Sequence, residues 1–285
     1  MKHSRNGWNE PLGPVEGFMF DLDGTLILSD HLLGGYRALP GAVEILKEMQ
    51  ARGVPFVVLT NGSAYPAAQQ APKLRALGLP ISDEALLTPS TVAADLMPRH
   101  GVKRALVLGT PGVAQPLEEA GIETVFTGQD RAAEVQAVYV GWHPECGMKD
   151  IEAACKGIWN GAELYVASDV PFFATSAGKT MGYSHAIVAA VRKITRAPMI
   201  LTGKPSLHAL RLVAKKLGVP MRRVGVVGDD PVVEMIMARR GGAMGFGVTT
   251  GFTTARDWAA QPRGRRPHRV VRELAEILPM AVAAR

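Results

Sequence analysis

Short apolar runs alternate along the chain with longer stretches whose apolar residues recur at helical spacing. Residues 15–21 have the length of a strand, whereas residues 41–52 place Val43, Leu46 and Met49 on one side of a helix. The predicted elements, in chain order, are strand 15–21, helix 41–52, strand 54–60, a helix to about 77, strand 104–109, helix 111–121, strand 135–142, helix 149–160, strand 164–168, helix 184–195, helix 206–217, strand 223–228, helix 231–240 and strand 243–248. This alternation predicts an α/β fold with a parallel sheet.

The length of the chain suggests more than one compact body. At 285 residues the chain is long for a single sheet of this kind, yet no linker-like segment separates a first half from a second. An inserted domain, for which the chain leaves the first domain and later returns to it, is therefore a candidate arrangement.

Composition excludes several classes of protein. Hydrophobic residues make up 47% of the chain and charged residues 20%, which is a globular balance. No apolar run approaches the roughly 18 residues of a membrane span, and residues 1–17 lack the apolar stretch of a secretory signal. Cys146 and Cys155 provide neither a disulfide framework nor a CxxC motif. We therefore expect a cytoplasmic protein with no membrane partner.

The net charge of +6 would suit a polyanionic partner, but its distribution does not. Residues 263–272, here called the arginine segment, hold five arginines and no acidic residue, so the rest of the chain is nearly neutral. Aromatic residues, at 6%, form no basic and aromatic stripe. The segment is most simply a solvated surface, and we expect no nucleic-acid partner. Its arginines are Arg263, Arg265, Arg266, Arg269 and Arg272.

The strongest chemical signal is the run Phe-Met-Phe-Asp-Leu-Asp-Gly-Thr-Leu at residues 18–26. An apolar strand ends in Asp21, and alternation puts Asp23 on the same side if the strand continues. Gly24 then allows a tight turn. Ligands of parallel α/β sheets bind outside the carboxyl ends of the strands. Two carboxylates there need compensation, for which Mg²⁺ with its oxygen ligands is suited.

Two further strands end in polar residues. The strand at 54–60 ends in Thr60-Asn61-Gly62, which offers hydroxyl, amide and flexible backbone donors to an oxyanion. The strand at 223–228 is followed by the acidic pair Asp229-Asp230, and Lys204 lies in a turn before the helix at 206–217. Carboxylates, a hydroxyl and an ammonium together are suited to phosphoryl transfer, where charge must be positioned and neutralised.

This constellation resembles the four ordered motifs of the haloacid dehalogenase superfamily. Asp21-Leu22-Asp23-Gly24-Thr25 is similar to the first motif, Thr60 to the second, Lys204 to the third and Gly228-Asp229-Asp230 to the fourth. The long gap between the second and third motifs resembles the NagD-like, or p-nitrophenylphosphatase-like, branch called subfamily IIA. The resemblance implies a Rossmann-like core at residues 1–92 and 199–285, interrupted by an inserted α/β cap domain at residues 93–198.

The resemblance also implies a mechanism for a phosphatase of small phosphomonoesters. Asp21 would attack phosphorus and form an aspartyl phosphate, and Asp23 would serve as general acid and then as general base. Mg²⁺ would be held by Asp21, the backbone carbonyl of Asp23, and Asp229. The phosphoryl oxygens would be bound by Thr60, Asn61, Gly62 and Lys204.

Several residues are open to more than one interpretation. Asp230 is either near the metal or the N-cap of the helix predicted at 231–240. Glu234 stands where the family often has an aspartate, and it is either near the metal or only a helix residue. His143, Asp169 and His185 are candidate substrate contacts of the cap, although ordinary polar loop residues are the simpler interpretation.

Other functions also fit these residues. A phosphotransferase or phosphomutase would use the same aspartate chemistry, and a non-catalytic basic protein that binds nucleic acid or regulates another protein would use the arginine segment. A dehalogenase is disfavoured, because Asp23 supplies the acid that an ester leaving group needs. The expected partner is a small phosphorylated metabolite, and a homodimer formed through the cap is a further expectation from the resemblance.

Overall fold

A computed structural model describes residues 13–29, 35–132, 134–175, 178–251 and 253–281. Its strands, in chain order, are β1 Gly17–Phe20, β2 Ile27–Ser29, β3 Tyr36–Ala38, β4 Phe56–Leu59, β5 Leu86–Leu87, β6 Arg104–Leu108, β7 Glu123–Val125, β8 Ala137–Val140, β9 Glu163–Val166, β10 Phe172–Thr175, β11 Gly178–Met181, β12 Met199–Leu201, β13 Val224–Gly228, β14 Met244–Val248 and β15 Arg269–Val271. Its α-helices are α1 Ala42–Ala51, α2 Ala67–Ala76, α3 Pro89–Leu96, α4 Pro111–Glu119, α5 Met148–Trp159, α6 Tyr183–Thr195, α7 Leu207–Leu217, α8 Glu234–Gly241 and α9 Ala255–Ala260.

Two compact units divide the described residues. One unit takes its residues from Met1–Leu59, Lys73–Leu86 and Leu210–Arg285, and the other takes its residues from Thr60–Pro72 and Leu87–Ala209. We call them the first and the second unit. The chain therefore leaves the first unit and returns to it, while the boundaries predicted at residues 92 and 198 stay a prediction.

The larger sheet has the strand order β15-β14-β13-β1-β4-β5 among the described residues. β1 pairs in parallel with β13 on one side and with β4 on the other, so that Phe20 lies opposite both Val227 and Val58. Every residue of β1 and β13 is buried, as expected for central parallel strands covered on both faces. The carboxyl ends of β4, β1 and β13 therefore lie along one edge.

The second unit contains a parallel sheet with the strand order β12-β9-β8-β6-β7. Alternation along β6 directs Leu106 and Leu108 into one apolar cluster, and Ala105 and Val107 into another. The first cluster includes buried residues of α5 and α6, and the second includes buried residues of α3 and α4. Helices thus cover both faces of this sheet, and the predicted α/β fold class with a parallel sheet is confirmed.

One predicted helix start is wrong. The helix expected at 231–240 begins at Glu234, and its N-cap residue is Val233 rather than Asp230. The Asp230 side chain instead accepts a hydrogen bond of 2.7 Å from the backbone N–H of Val232. An aspartate side chain that accepts from the backbone N–H two residues later stabilises a turn. This turn occupies the residues after Asp230, so the helix begins only at Glu234.

None of the helices in the described part of the chain combines the length and the apolar composition that a membrane crossing requires.

Candidate active site

Asp21 is the first residue after β1, and one backbone and one side-chain hydrogen bond hold it in place. Its backbone N–H donates to the Val227 carbonyl at 2.9 Å, which continues the pairing of β1 with β13. The Thr25 hydroxyl donates to Asp21 Oδ2 at 3.1 Å, and the Asp21 residue is only 6% exposed. Strand pairing and this hydrogen bond together fix the direction of the carboxylate.

The loop after Asp21 turns back sharply at Gly24. Gly24 has a φ of +89°, and its N–H donates to the Ile27 carbonyl at 2.8 Å. Few residues other than glycine adopt this left-handed conformation without strain. The turn brings the Ser29 hydroxyl into a hydrogen bond with Asp23 Oδ1, and Asp23 is half-buried. Asp23 is thus oriented by a side chain six positions later.

Asp229 directly follows β13, and backbone packs closely around its carboxylate. A Cβ atom added to either Gly24 or Gly251 would overlap the Asp229 carboxylate. The Thr253 hydroxyl donates to the Asp229 carbonyl, and the Thr250 hydroxyl donates to the Gly24 carbonyl at 3.1 Å. Thr250 and Thr253 therefore hold the Asp21–Gly24 turn against Asp229.

The donor chemistry of this part of the first unit fits a hard divalent cation. Asp21 and Asp229 are each 6% exposed, and both follow central strands of the same sheet. Buried carboxylates are costly unless their charge is compensated. Mg²⁺ takes oxygen ligands and needs only one or two carboxylates from the protein. The two aspartates thus provide the ligand type and the burial that such a cation requires.

Glu234 is a buried carboxylate in the same region. It is 2% exposed, and its Oε2 accepts a hydrogen bond of 3.1 Å from the Asp230 backbone N–H. A Cβ atom on Gly228 would overlap the Glu234 side chain, so the glycine makes room for it. Glu234 thus braces the loop that carries Asp229 and Asp230, whereas a role for Asp230 or Glu234 near a metal stays a prediction.

In the second unit, the structure brings together the predicted phosphate-binding residues Thr60, Asn61, Gly62 and Lys204. Thr60 Oγ1 accepts a hydrogen bond of 2.9 Å from the Gly62 N–H. The Asn61 side chain binds the Lys204 backbone twice: its Oδ1 accepts from the Lys204 N–H at 2.7 Å, and its Nδ2 donates to the Lys204 carbonyl at 3.0 Å. Asn61 is therefore a clamp for the loop that carries Lys204.

The candidate substrate contacts of the cap form two separate pairs in the second unit. His185 Nδ1 lies 2.9 Å from Asp169 Oδ1, and both side chains are more than one-third exposed. His143 Nε2 lies 3.7 Å from Asp150 Oδ2. The structure therefore joins Asp169 with His185 and places His143 beside a different aspartate, while a substrate role for any of the three stays a prediction.

A small cavity of about 190 Å³ lies within the second unit, beside Trp142, which directly precedes His143. Trp142 forms one wall and packs edge-on against Tyr183, with ring centroids 4.6 Å apart. The Trp142 backbone N–H donates to Ser63 Oγ at 3.0 Å, which ties this wall to the segment that follows Thr60. The remaining lining residues are Ala64, Tyr65, Gln69, Thr110 and Gly112.

Neither cysteine has the character of an activated nucleophile. Burial raises the pKa of the Cys146 thiol to about 11, with a smaller contribution from the nearby Asp150 charge. Burial also raises the pKa of Cys155. Reactive cysteines have lowered pKa values instead, so cysteine chemistry does not compete with the proposed role of Asp21.

The sequence did not predict a role for three residues that contact the carboxylates. Thr25 binds Asp21, Ser29 binds Asp23, and Gly251 allows the close approach to Asp229. A signal existed for Thr25, because it belongs to the same five-residue motif as Asp21. Ser29 carries no comparable local pattern, since it contacts Asp23 only through the turn that places it.

Two family models match the chain on either side of its middle section. A haloacid dehalogenase-like hydrolase model matches residues 18–123, and a HAD-hydrolase-like model matches residues 201–277. The chain belongs to the haloacid dehalogenase-like hydrolases. Together the matches include Asp21, Asp23, Thr60, Lys204 and Asp229, which are the residues on which the resemblance was based.

Individual relatives and solved structures agree with membership of this hydrolase family. Human chronophin is 26% identical over 281 residues, covering 93% of both chains. A 4-nitrophenylphosphatase structure from Thermotoga maritima is 26% identical, with a TM-score of 0.81 and coverage of 93% of this chain and 97% of its own. A glycerol phosphate phosphatase from Mycobacterium tuberculosis, in complex with calcium, is 27% identical, with a TM-score of 0.79 and coverage of 91% and 73%. The expected branch and the expected class, a phosphoric monoester hydrolase, are confirmed.

Proposed function

We propose that this haloacid dehalogenase-like hydrolase is a Mg²⁺-dependent phosphatase of small phosphomonoesters that works through an aspartyl phosphate on Asp21. The observation that carries the proposal is the buried pair Asp21 and Asp229, which follow adjacent strands, with Gly24 and Gly251 packed against the Asp229 carboxylate. The names of two similar structures, a 4-nitrophenylphosphatase and a glycerol phosphate phosphatase, support a small phosphomonoester as the substrate class.

The proposed reaction divides the work between two aspartates. A carboxylate oxygen of Asp21 forms a bond to phosphorus while the bond from phosphorus to the ester oxygen breaks, and protonated Asp23 gives its proton to that leaving oxygen. Asp23, now a carboxylate, removes a proton from the water that attacks the aspartyl phosphate. Phosphate then leaves and Asp21 is regenerated. Hydrogen bonds from Thr25 and Ser29 orient the two aspartates for these roles.

The anionic phosphoryl group would be bound by hydrogen-bond donors and by one positive charge. Thr60, the backbone of Asn61 and Gly62, and the Lys204 ammonium supply hydrogen bonds and positive charge. Asp21, the Asp23 carbonyl and Asp229 would hold Mg²⁺, which would offset the negative charge of the phosphoryl group. A calcium complex of a similar structure agrees with a divalent cation, and Mg²⁺ is our assignment among such cations.

The proposal extends to a homodimer formed through the cap expected at residues 93–198. Phe172 and Met181 lie opposite each other in the β10–β11 hairpin and are 48% and 53% exposed. Contiguous exposed apolar surface marks contacts with other proteins, and these two neighbouring side chains would form part of such a surface. A second copy of this chain is the partner that we propose.

Turnover of p-nitrophenyl phosphate tests the assignment of the nucleophile. Asp21→Asn should lower kcat by about 1,000-fold or more, because the amide cannot form the aspartyl phosphate. EDTA should abolish the activity of the wild-type chain, and added Mg²⁺ should restore it. Asp83→Asn is the matched control, since it neutralises an exposed aspartate paired with Arg75. Full activity of Asp21→Asn would refute the proposal.

The second aspartate has a test of its own. p-Nitrophenolate leaves without help from an acid, so Asp23→Asn should still be phosphorylated but should not release phosphate from Asp21. We expect a burst of about one p-nitrophenol per chain, followed by very slow turnover. Steady turnover at the wild-type rate would contradict the role of Asp23. Transfer of the phosphoryl group to added alcohols in preference to water would instead favour the phosphotransferase alternative.

A further inference from the structure

A second group of metal-ligating side chains lies in the second unit, within residues 143–150 between β8 and the first turn of α5. The ligand atoms of His143, Cys146 and Asp150 all lie within 4.8 Å of one another, and each residue is half-buried. His143 Nε2 and Asp150 Oδ2 are 3.7 Å apart. An imidazole, a thiol and a carboxylate group thus lie close enough together to share one metal ion.

The local backbone explains why the three side chains meet. The Cys146 N–H donates to the His143 carbonyl at 3.3 Å, which closes the turn between them. Gly147 is the N-cap residue of α5, and Asp150 Oδ2 accepts a hydrogen bond of 2.8 Å from the Gly147 N–H. This contact folds the Asp150 carboxylate back towards the turn.

Helix capping explains only part of the arrangement. It accounts for the position of Asp150, because a carboxylate in the first turn of a helix satisfies an exposed backbone N–H. It does not require a thiol and an imidazole beside that carboxylate. Burial raises the pKa of Asp150, but the nearby Thr127 hydroxyl, the Gly147 N–H and His143 outweigh burial and lower the pKa overall.

The donor set indicates the kind of cation. Mixed nitrogen, sulfur and oxygen ligands are typical of Zn²⁺ and similar transition metals, whereas Mg²⁺ prefers oxygen alone. Ligand atoms around a tetrahedral Zn²⁺ are about 3.5 Å apart. The present separations of up to 4.8 Å are therefore slightly wider, and small side-chain rotations would close them.

We propose that His143, Cys146 and Asp150 bind a transition-metal cation of the Zn²⁺ class, at a site separate from the one formed by Asp21 and Asp229. Three protein ligands leave the fourth tetrahedral position to a water molecule. When the metal–sulfur bond forms, the Cys146 proton passes to solvent. The bound metal would tie the β8–α5 loop to α5 and thereby stabilise the second unit.

Cobalt titration of the full-length, EDTA-treated chain tests the proposal without measuring activity. Co²⁺ bound to a thiolate gives a sulfur-to-metal charge-transfer absorption, which an all-oxygen site cannot give. We expect this absorption to saturate at one Co²⁺ per chain and to be displaced by Zn²⁺. Cys146→Ala should lose it, whereas Cys155→Ala should keep it, since Cys155 lies in the same region but outside the group. Failure of the wild-type chain to show the band would overturn the proposal.

Two further variants and one independent measurement complete the test. His143→Gln and Asp150→Asn should weaken cobalt binding, and Asp150→Asn keeps an oxygen that can cap α5. Zn²⁺ should raise the thermal midpoint of the wild-type and Cys155→Ala chains, but not that of Cys146→Ala. A band that persists in Cys146→Ala, or that disappears equally in Cys155→Ala, would show that the cation binds elsewhere.

Discussion

At the scale of single residues, the candidate active site depends on Gly24 and Gly251, which have no side chain, as much as on its carboxylates. Gly24 combines a φ of +89° with direct contact to Asp229, whereas Gly251 makes the contact without a positive φ. A methyl group at position 24 would therefore cause both backbone strain and an overlap with the Asp229 carboxylate. A methyl group at position 251 would cause only the overlap. These two effects are separable by mutation.

Gly24→Ala should lower both stability and activity. The left-handed conformation costs an alanine about 1–2 kcal/mol, and the new Cβ would displace the Asp229 carboxylate. Gly53→Ala is the matched control, because Gly53 has a φ of +66° with no atom within 4 Å of an added Cβ. Gly24→Ala should show the larger fall in thermal midpoint, because it adds the overlap with Asp229 to the strain that both variants share, and it alone should lose most of the Mg²⁺-dependent turnover. Equal activity of the two variants would remove the proposed importance of this contact.

Asn61 provides a second prediction at this scale. Asn61→Asp can still accept from the Lys204 N–H but can no longer donate to the Lys204 carbonyl, and Asn61→Ala loses both hydrogen bonds. Each bond contributes about 1 kcal/mol. Since about 1.4 kcal/mol corresponds to a factor of ten in rate, we expect kcat to fall about fivefold in Asn61→Asp and about thirtyfold in Asn61→Ala. Unchanged kcat in Asn61→Ala would show that the clamp does not position Lys204.

The sequence allowed the identity of these residues to be predicted better than their roles. Asp21, Asp23 and Asp229 were identified from an apolar strand followed by acid, a pattern that is local. The clamp between Asn61 and Lys204 joins residues 143 positions apart, and no local pattern encodes that contact. Sequence resemblance assigned Asn61 to phosphate binding, whereas the structure also shows what its side-chain amide holds.

At the scale of elements, the length of a helix or strand and the regular spacing of its apolar residues decided whether it could be predicted. Long amphipathic helices such as α1 and α5 were predicted to within a few residues, because many positions share one pattern. The short hairpin β2–β3 and the edge strand β15 have three residues per strand and were not predicted. Helix α3 was also missed, although Thr88-Pro89 is a typical helix start.

Helix α3 provides the prediction at the element scale. The Thr88 hydroxyl accepts from the Thr91 N–H at 3.2 Å, and the Thr91 hydroxyl in turn accepts from the Thr88 N–H. Removing such a cap costs about 1 kcal/mol. Thr88→Ala should therefore lower the thermal midpoint measured by circular dichroism, whereas Thr88→Ser, which keeps a hydroxyl, should remain near the wild type. Equal loss in both variants would assign the effect to packing of the threonine methyl group.

At the scale of the whole molecule, most of the net positive charge belongs to the arginine segment, which is a structural part of the fold. The segment includes β15, which pairs in parallel with β14, so it is part of the larger sheet. Arg239 donates to the Arg266 carbonyl at 2.8 Å and lies 3.1 Å from His268 Nε2. Deleting the segment would therefore remove a strand of the fold, and substitutions are the better probe of its charge.

Two sets of arginine substitutions should behave differently. Replacing the exposed Arg263, Arg265 and Arg272 by glutamine should leave the thermal midpoint and kcat/KM close to the wild type, because surface charges contribute little. Arg239→Gln should destabilise the chain by about 1–3 kcal/mol, since the carbonyl of Arg266 would lose its charged donor. Salt-sensitive DNA binding that disappears in the triple variant would revive the nucleic-acid alternative. Binding that is absent from the wild-type chain, with unchanged phosphatase activity in the triple variant, would leave the arginines as a solvated part of the sheet edge.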